Sequence, residues 1–185
     1  MILPIVAYGD NVLRVECKDI KKDHPDLEDL INNMFDTLYE AEGVGLAAPQ
    51  IGKAIRLFIV DAEPFKEDEP KLKDFKKVFI NARIIEEDGD EWGFKEGCLS
   101  IPGIRENVNR QPKVKISYYD ENFNHHEESF EGLAARVIQH EYDHIDGVLF
   151  IDKINPMKKR MIKGKLSDIT KGKVRIHYRM RFPKK

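Results

Sequence analysis

Between His24-Pro25 and Gly43, the apolar residues Leu27, Leu30, Ile31, Met34 and Leu38 recur at three- and four-residue steps, which lines one face of a helix. Pro25 suits the first turn and Gly43 the exit, so the pattern predicts a helix from about Asp26 to Glu42. A second stripe, Leu133, Val137, Ile138 and Tyr142, predicts a helix over Gly132 to Ile145, and Pro156 to Lys165 reads as a short amphipathic one. Strand patterns cover Arg56 to Asp61, largely buried, and Lys77 to Glu86. Val114 to Tyr119 alternates through Val114, Ile116 and Tyr118, and His126 to Phe130 follows it across the turn residues Asp120-Glu121-Asn122. Val174 to Met180 also alternates, which predicts a closing strand.

Two stretches fit neither period. Gly43 to Gln50 (G-V-G-L-A-A-P-Q) is small and glycine-rich, and Glu63 to Lys77 is dominated by charge and carries Pro64 and Pro70. The latter is predicted to be an exposed loop. Strands outnumber helices and hairpin-like connections outnumber βαβ units, so the fold class is α+β, with mainly antiparallel sheets packed around the second helix. No linker divides the chain, and residues 1–185 read as a single domain.

Charge narrows the function classes. Lys+Arg 31 against Asp+Glu 33 gives a net charge of -2, which argues against a general affinity for nucleic acid or anionic membrane. The tail is locally basic, with Lys171, Lys173, Arg175, Arg179, Arg181, Lys184 and Lys185, and reads first as a solvated terminus. No apolar stretch approaches the roughly 18 residues of a membrane span, and Met1 to Gly9 lacks the features of a signal peptide. Two cysteines, Cys17 and Cys98, do not make a disulfide scaffold, so the expectation is a cytoplasmic chain with both thiols reduced.

The chemistry begins in the second helix, with the run H-E-Y-D-H. His140 and His144 lie four residues apart, which puts both imidazoles on one face and within reach of one ion. Glu141 lies about 100° round the helix from His140, placed to exchange a proton with water activated by that ion without being a ligand. Isolated helical histidines are more often surface or core residues, but here the motif lies inside a periodic helix. A catalytic ion of this kind wants a third protein ligand. Downstream of His144, the acids Asp146, Asp152 and Asp168 and the one histidine, His177, fall in no recognisable third-ligand frame. Upstream, Cys98 sits in the turn Glu96-Gly97-Cys98-Leu99-Ser100 and offers a thiolate, although a lone cysteine is more often an inert buried thiol.

Three segments taken together resemble the signature motifs of the peptide deformylase family: Gly43 to Gln50, Glu96 to Ser100, and Gln139 to His144. They stand in the family's order, and the similarity runs from roughly Ile2 to Asn155. The resemblance implies an amide hydrolase that removes the N-formyl group from the starting methionine of new proteins. Its metal ligands would be Cys98, His140 and His144, and its ion Fe2+, with Zn2+, Ni2+ or Co2+ able to substitute. Glu141 would carry the proton, while the Gln50 side chain and the Leu99 backbone N–H would face the developing oxyanion. The family's binding mode lays the peptide as a strand beside Gly45, near Gly97, with its methionine in a pocket drawn from Val44, Leu99, Arg105 and Val137. Core packing accounts equally well for Val44 and Val137. Glu96 and Arg110 match family positions that pair behind the cysteine.

The resemblance also implies N-formylmethionyl nascent peptides as partners and a monomer acting in the cytoplasm, with no membrane. Asn11 stands where many relatives have proline, a minor loop difference. The basic, β-like end does not match the C-terminal helix that some members dock on the ribosome, which leaves a transient contact with ribosomal RNA as the expectation. Two other readings of the residues stand beside this one. A zincin-like peptidase would take its third ligand after His144, and a metal-stabilised binding module would have a filled coordination sphere and no need of Glu141.

Overall fold

The computed structural model describes residues 1–183; Lys184 and Lys185 of the basic tail lie outside the described residues. The chain begins with a short strand, β1 (Ile5–Val6), and reaches its first long helix, α1 (Leu27–Glu40), one residue inside the predicted start and two inside the predicted end. Leu30, Ile31, Met34 and Leu38 are all buried, as their spacing requires.

A sheet in the order β2-β3-β4-β7-β8 forms the body of the molecule, from β2 (Gly45–Ala47), β3 (Leu57–Asp61), β4 (Lys76–Asp88), β7 (Lys113–Tyr119) and β8 (His125–Glu131). Each neighbouring pair is antiparallel. β3 explains how the layers are built. Leu57 and Ile59 point to the cluster that holds α1, while Phe58 and Val60 point to the cluster that holds α2 (Gly132–Ile145). Both faces are covered, so the strand reads as one unbroken apolar run rather than an alternation. The predicted α+β class, with mainly antiparallel pairing around the second helix, is the observed one.

Besides the two-residue β1, the structure adds three strands that the apolar pattern did not predict. β2 is too short and too small in its side chains to show a period, and is defined by its pairing, Gly45↔Val60 to Ala47↔Phe58. β5 (Trp92–Cys98) and β6 (Ile101–Arg110) make a separate hairpin whose sequences are broken by Gly93, Gly97, Pro102 and Gly103. Beneath it, the Arg136 guanidinium lies 4.5 Å from the Trp92 ring and donates to the Trp92 and Val108 carbonyls. This polar contact is invisible to a hydrophobic periodicity.

The tail differs from expectation in two places. Pro156 to Lys165 is not one helix but two, α3 (Pro156–Met161) and α4 (Lys163–Thr170), with Leu166 and Ile169 of α4 buried. Val174 to Met180 does not form a strand along its length. Only β9 (Met180–Arg181) pairs, in parallel with β1. Val174, Ile176, Tyr178 and Met180 are partly buried and Arg175, His177 and Arg179 exposed, so the alternation reported burial correctly. What the upstream half lacks is a neighbouring strand to ladder with.

The charged excursion after β3 is also more than a solvated loop. It carries one-turn 3-10 segments at Glu63–Phe65 and Pro70–Leu72, and Leu72 is buried. Glu69 of this loop accepts a hydrogen bond from the Leu133 backbone N–H over 2.9 Å, capping the start of α2 from outside the helix. Gly132 (φ +64) makes room for it, because a Cβ there would strike the Glu69 carboxylate. The helix's own flanking residue, Glu131, makes no such bond. Glu69→Ala is therefore expected to lower stability by about 1–2 kcal/mol, read from urea unfolding of full-length protein. An unchanged midpoint and slope would show that the cap contributes nothing.

Candidate metal centre

Helix α2 runs between the five-stranded sheet and the β5–β6 hairpin, and turns His140 and His144 toward the end of β5. Cys98 stands there, its Sγ 3.3 Å from His144 Nε2. The three ligand atoms of Cys98, His140 and His144 lie within 4.8 Å of one another, the one such grouping among the described residues. Cys98 is thus the residue that joins the histidines, and no acid downstream of His144 does so. That is the arrangement expected of a metal centre and not that of a zincin-like peptidase. The other thiol, Cys17, is buried elsewhere; burial pushes it up to about 11, against the pull of Arg56.

Glu96 fixes the imidazole of His140. Its Oε2 lies 2.8 Å from His140 Nδ1, so Nδ1 carries the proton and Nε2 is left free toward Cys98. The same carboxylate accepts from Arg110 Nε and Nη2, over 2.6 and 3.0 Å, and from Arg136 Nη1 over 2.9 Å. Arg110 then reaches Asp143 over 2.8 Å, tying β6 to α2. Burial alone would raise the Glu96 pKa. Hydrogen bonds from His140 and Arg110 outweigh it and hold the carboxyl well below the usual carboxylate range.

Around this frame the donor set fits a divalent cation. Burial first, and then the neighbouring His140 and Arg110, lower the His144 pKa well below the usual imidazole value, which favours the neutral form that a metal ligand requires. His140 is pulled the other way. Against its own burial, hydrogen bonds to Cys98 and Glu96 raise its pKa, so the surroundings favour positive charge at this spot, which a bound cation would supply while the imidazole stays neutral. One thiol and two imidazoles suit a borderline ion.

Glu141 is 3% exposed, and its Oε2 has no partner. Burial, partly opposed by His140, pushes its carboxyl up to about 7, which suits a group that gives and takes a proton near neutrality. Its place depends on Gly45, since a Cβ there would lie 2.5 Å from Glu141 Oε1 and 2.7 Å from its Cγ. Gly43 is similarly closed, with Leu38 and Leu99 Cδ1 atoms 2.8 and 2.9 Å from where its Cβ would be. Both glycines therefore answer first to close internal packing.

Gln50 sits in a 3-10 turn, Ala48–Ile51, and is buried. Its Oε1 accepts from the Ala47 N–H over 2.8 Å, which turns the amide NH2 toward Cys98 Sγ (3.5 Å) and Ser100 Oγ (3.3 Å). A cavity of about 820 Å³ opens over the centre. Val44, Gly97, Leu99, Arg105 and Val137 line it, together with Gly45, Gln50 and Glu141, so the predicted site residues converge. His144 lies beneath it, 1% exposed.

Several participants were not predicted. Arg136 is the one charged residue in the first two turns of α2, and a cation inside a buried helix face is itself a sign of a buried partner. Asp143, Ser100 and Gln139 stand inside recognised motifs without an assigned contact; Gln139 donates to the Gln111 carbonyl over 3.0 Å. Tyr178 gave no signal beyond its place in an alternating tail.

Residues 2–160 match the family model described as polypeptide deformylase. A peptide deformylase of Christiangramia forsetii is 60% identical, covering 99% of this chain and 97% of that protein. One from Flavobacterium psychrophilum is also 60% identical, over the whole length of both. Among solved structures, a peptide deformylase from Legionella pneumophila superposes with a TM-score of 0.81 at 39% identity, over 95% of this chain and 99% of that one.

The close approach at Gly45 makes a prediction that needs no assay of turnover. Gly45→Ala is expected to displace the Glu141 carboxylate and lower stability by about 1–3 kcal/mol, with metal stoichiometry intact. Thermal unfolding and metal analysis check this. A variant as stable as the parent would show that Glu141 does not depend on the missing side chain.

Proposed function

The chain belongs to the polypeptide deformylase family, whose reaction removes the N-formyl group from newly made peptides, and we propose which of its residues perform each step. The carrying observation is the convergence of Cys98, His140 and His144 within 4.8 Å beside a Glu141 oxygen that has no partner. When bound there, a divalent ion (Fe2+ by the family resemblance, with Zn2+, Ni2+ or Co2+ as substitutes) supplies the Lewis acidity that makes water nucleophilic near neutral pH.

The protein's own groups then divide the remaining work. Glu141 takes a proton from the attacking water and returns it to the departing α-amine, so that formate and a free N-terminus leave. Gln50 holds its NH2 toward the centre because Ala47 fixes its carbonyl end. With the Leu99 backbone N–H it meets the charge that develops on the formyl oxygen. β2 is the edge strand of its sheet, and its free edge offers backbone groups to an extended peptide. Val44, Leu99, Arg105 and Val137 line the space for the methionine side chain, and Gly97 lines the same cavity beside the peptide.

The reading extends to one catalytic domain over residues 1–185, working as a cytoplasmic monomer on N-formylmethionyl chains. Among the described residues no helix is long and apolar enough to cross a membrane. The basic residues of the tail, Lys171 and Lys173 among them, would touch ribosomal RNA transiently through phosphate contacts.

Protein loaded with Fe2+ or Ni2+ and given formyl-Met-Ala-Ser is expected to release formate and free amine in equal amounts. Glu141→Ala should keep its metal and lose roughly 100-fold or more in kcat. Peptide-bond cleavage in place of formate release would contradict the reaction, and near-normal turnover by Glu141→Ala would contradict its role. Cys98→Ala should lose or badly weaken the metal, and an unchanged stoichiometry would rule out thiolate ligation.

A further inference from the structure

The Cys98–Ser100 turn lies outside regular pairing. In the β5–β6 hairpin the register slips between Gly97, opposite Arg105, and Cys98, opposite Ile101. The turn is therefore oriented by tethers from elsewhere. Gln50 Nε2 donates to Ser100 Oγ, and the Tyr8 N–H donates to the Ser100 carbonyl over 2.8 Å. A further tether comes from the tail: the Tyr178 hydroxyl donates to the Leu99 carbonyl over 2.8 Å.

That phenol is carried on fixed backbone. Directly after it, the Ile5 N–H donates to the Arg179 carbonyl and the Ala7 N–H to the Arg181 carbonyl, each over 2.9 Å. Directly before it, Arg175, Ile176 and His177 run along the wall of the same cavity that holds Cys98 and Glu141. Among the described residues, the half of the tail that makes no strand has one side-chain hydrogen bond to the turn, from Tyr178, beside the apolar packing of Val174 and Tyr178 and the approach of His177 to Glu42 over 3.9 Å.

We propose that Tyr178 is a positioning residue for deformylation. By holding the Leu99 carbonyl it sets the adjoining peptide planes, and with them the aim of the Leu99 N–H at the formyl oxygen. It also ties the tail, as a wall of the cleft, to that aim. The inference rests on the reading of Leu99 as an oxyanion donor given above. Such a donor is effective only when its direction is fixed before the charge develops. Losing the tether therefore affects the chemical step more than ground-state binding.

Tyr178→Phe in the full-length, metal-loaded protein keeps the ring and removes only the donor. The expected result is a kcat lower by about five- to tenfold on formyl-Met-Ala-Ser, a KM within about twofold, and unchanged metal content. A readout independent of turnover is hydrogen exchange of the Cys98–Ser100 amides, which should quicken in the variant. A lower melting temperature with kcat unchanged would make Tyr178 merely structural and overturn the proposal, as would a raised KM with normal kcat. Unchanged exchange overturns it whatever the kinetics. If the parent protein itself releases no formate, the assigned reaction fails, and the exchange measurement still decides whether Tyr178 orders the turn.

Discussion

A carboxylate removed from water costs several kcal/mol unless donors and opposite charge meet it on all sides. Glu96, 5% exposed, is met by Arg110, Arg136 and His140 together. These partners come from different elements: Glu96 from β5, Arg110 from β6, and Arg136 and His140 from α2. The ion cluster therefore does two things at once. It fastens the hairpin to the helix, and it dictates which nitrogen of His140 faces Cys98. Remove one partner and the remaining charges are stranded in a low-dielectric interior, so each member constrains where the others can sit.

The rest of the site is arranged by contacts that follow from this anchoring. With α2 held against the hairpin, Glu141 turns toward β2 and fits only because Gly45 has no side chain. Gln50 is aimed by the Ala47 N–H. The start of α2 is capped by Glu69 from the charged loop, so a segment that reads as solvated in sequence steadies the helix that carries both histidines. Hydrophobic layering on the two faces of β3 supplies the body, and buried polar contacts supply the precision.

How much of this the amino-acid sequence reveals depends on the kind of force involved. α1 and α2 are legible because Leu30, Ile31, Met34 and Leu38, and then Leu133, Val137 and Ile138, repeat with the helix. The candidate ligand set is legible because His140 and His144 are one turn apart and Cys98 stands in a recognisable motif. β2, β5 and β6 are not, since their positions are set by backbone pairing and by Arg136 under Trp92 rather than by apolar alternation. The tail shows the same limit. Its alternation foretold burial, but a strand also needs a neighbour, and only Met180 and Arg181 have one. Arg136 and Tyr178 escaped notice for a related reason: each acts through long-range polar contacts that no local spacing encodes.

The central claim is that the ionised Glu96 carboxylate holds the His140 imidazole in place for the ion proposed to bind there, and it is tested most directly by titrating a divalent ion into metal-free protein. Glu96→Gln preserves the shape but removes the charge that Arg110, Arg136 and His140 share. Competition with a chromophoric chelator for Zn2+ or Ni2+ should show affinity weaker by about 10- to 100-fold in a variant that remains folded by circular dichroism. A folded Glu96→Gln protein that binds the ion as tightly as the parent would contradict the account.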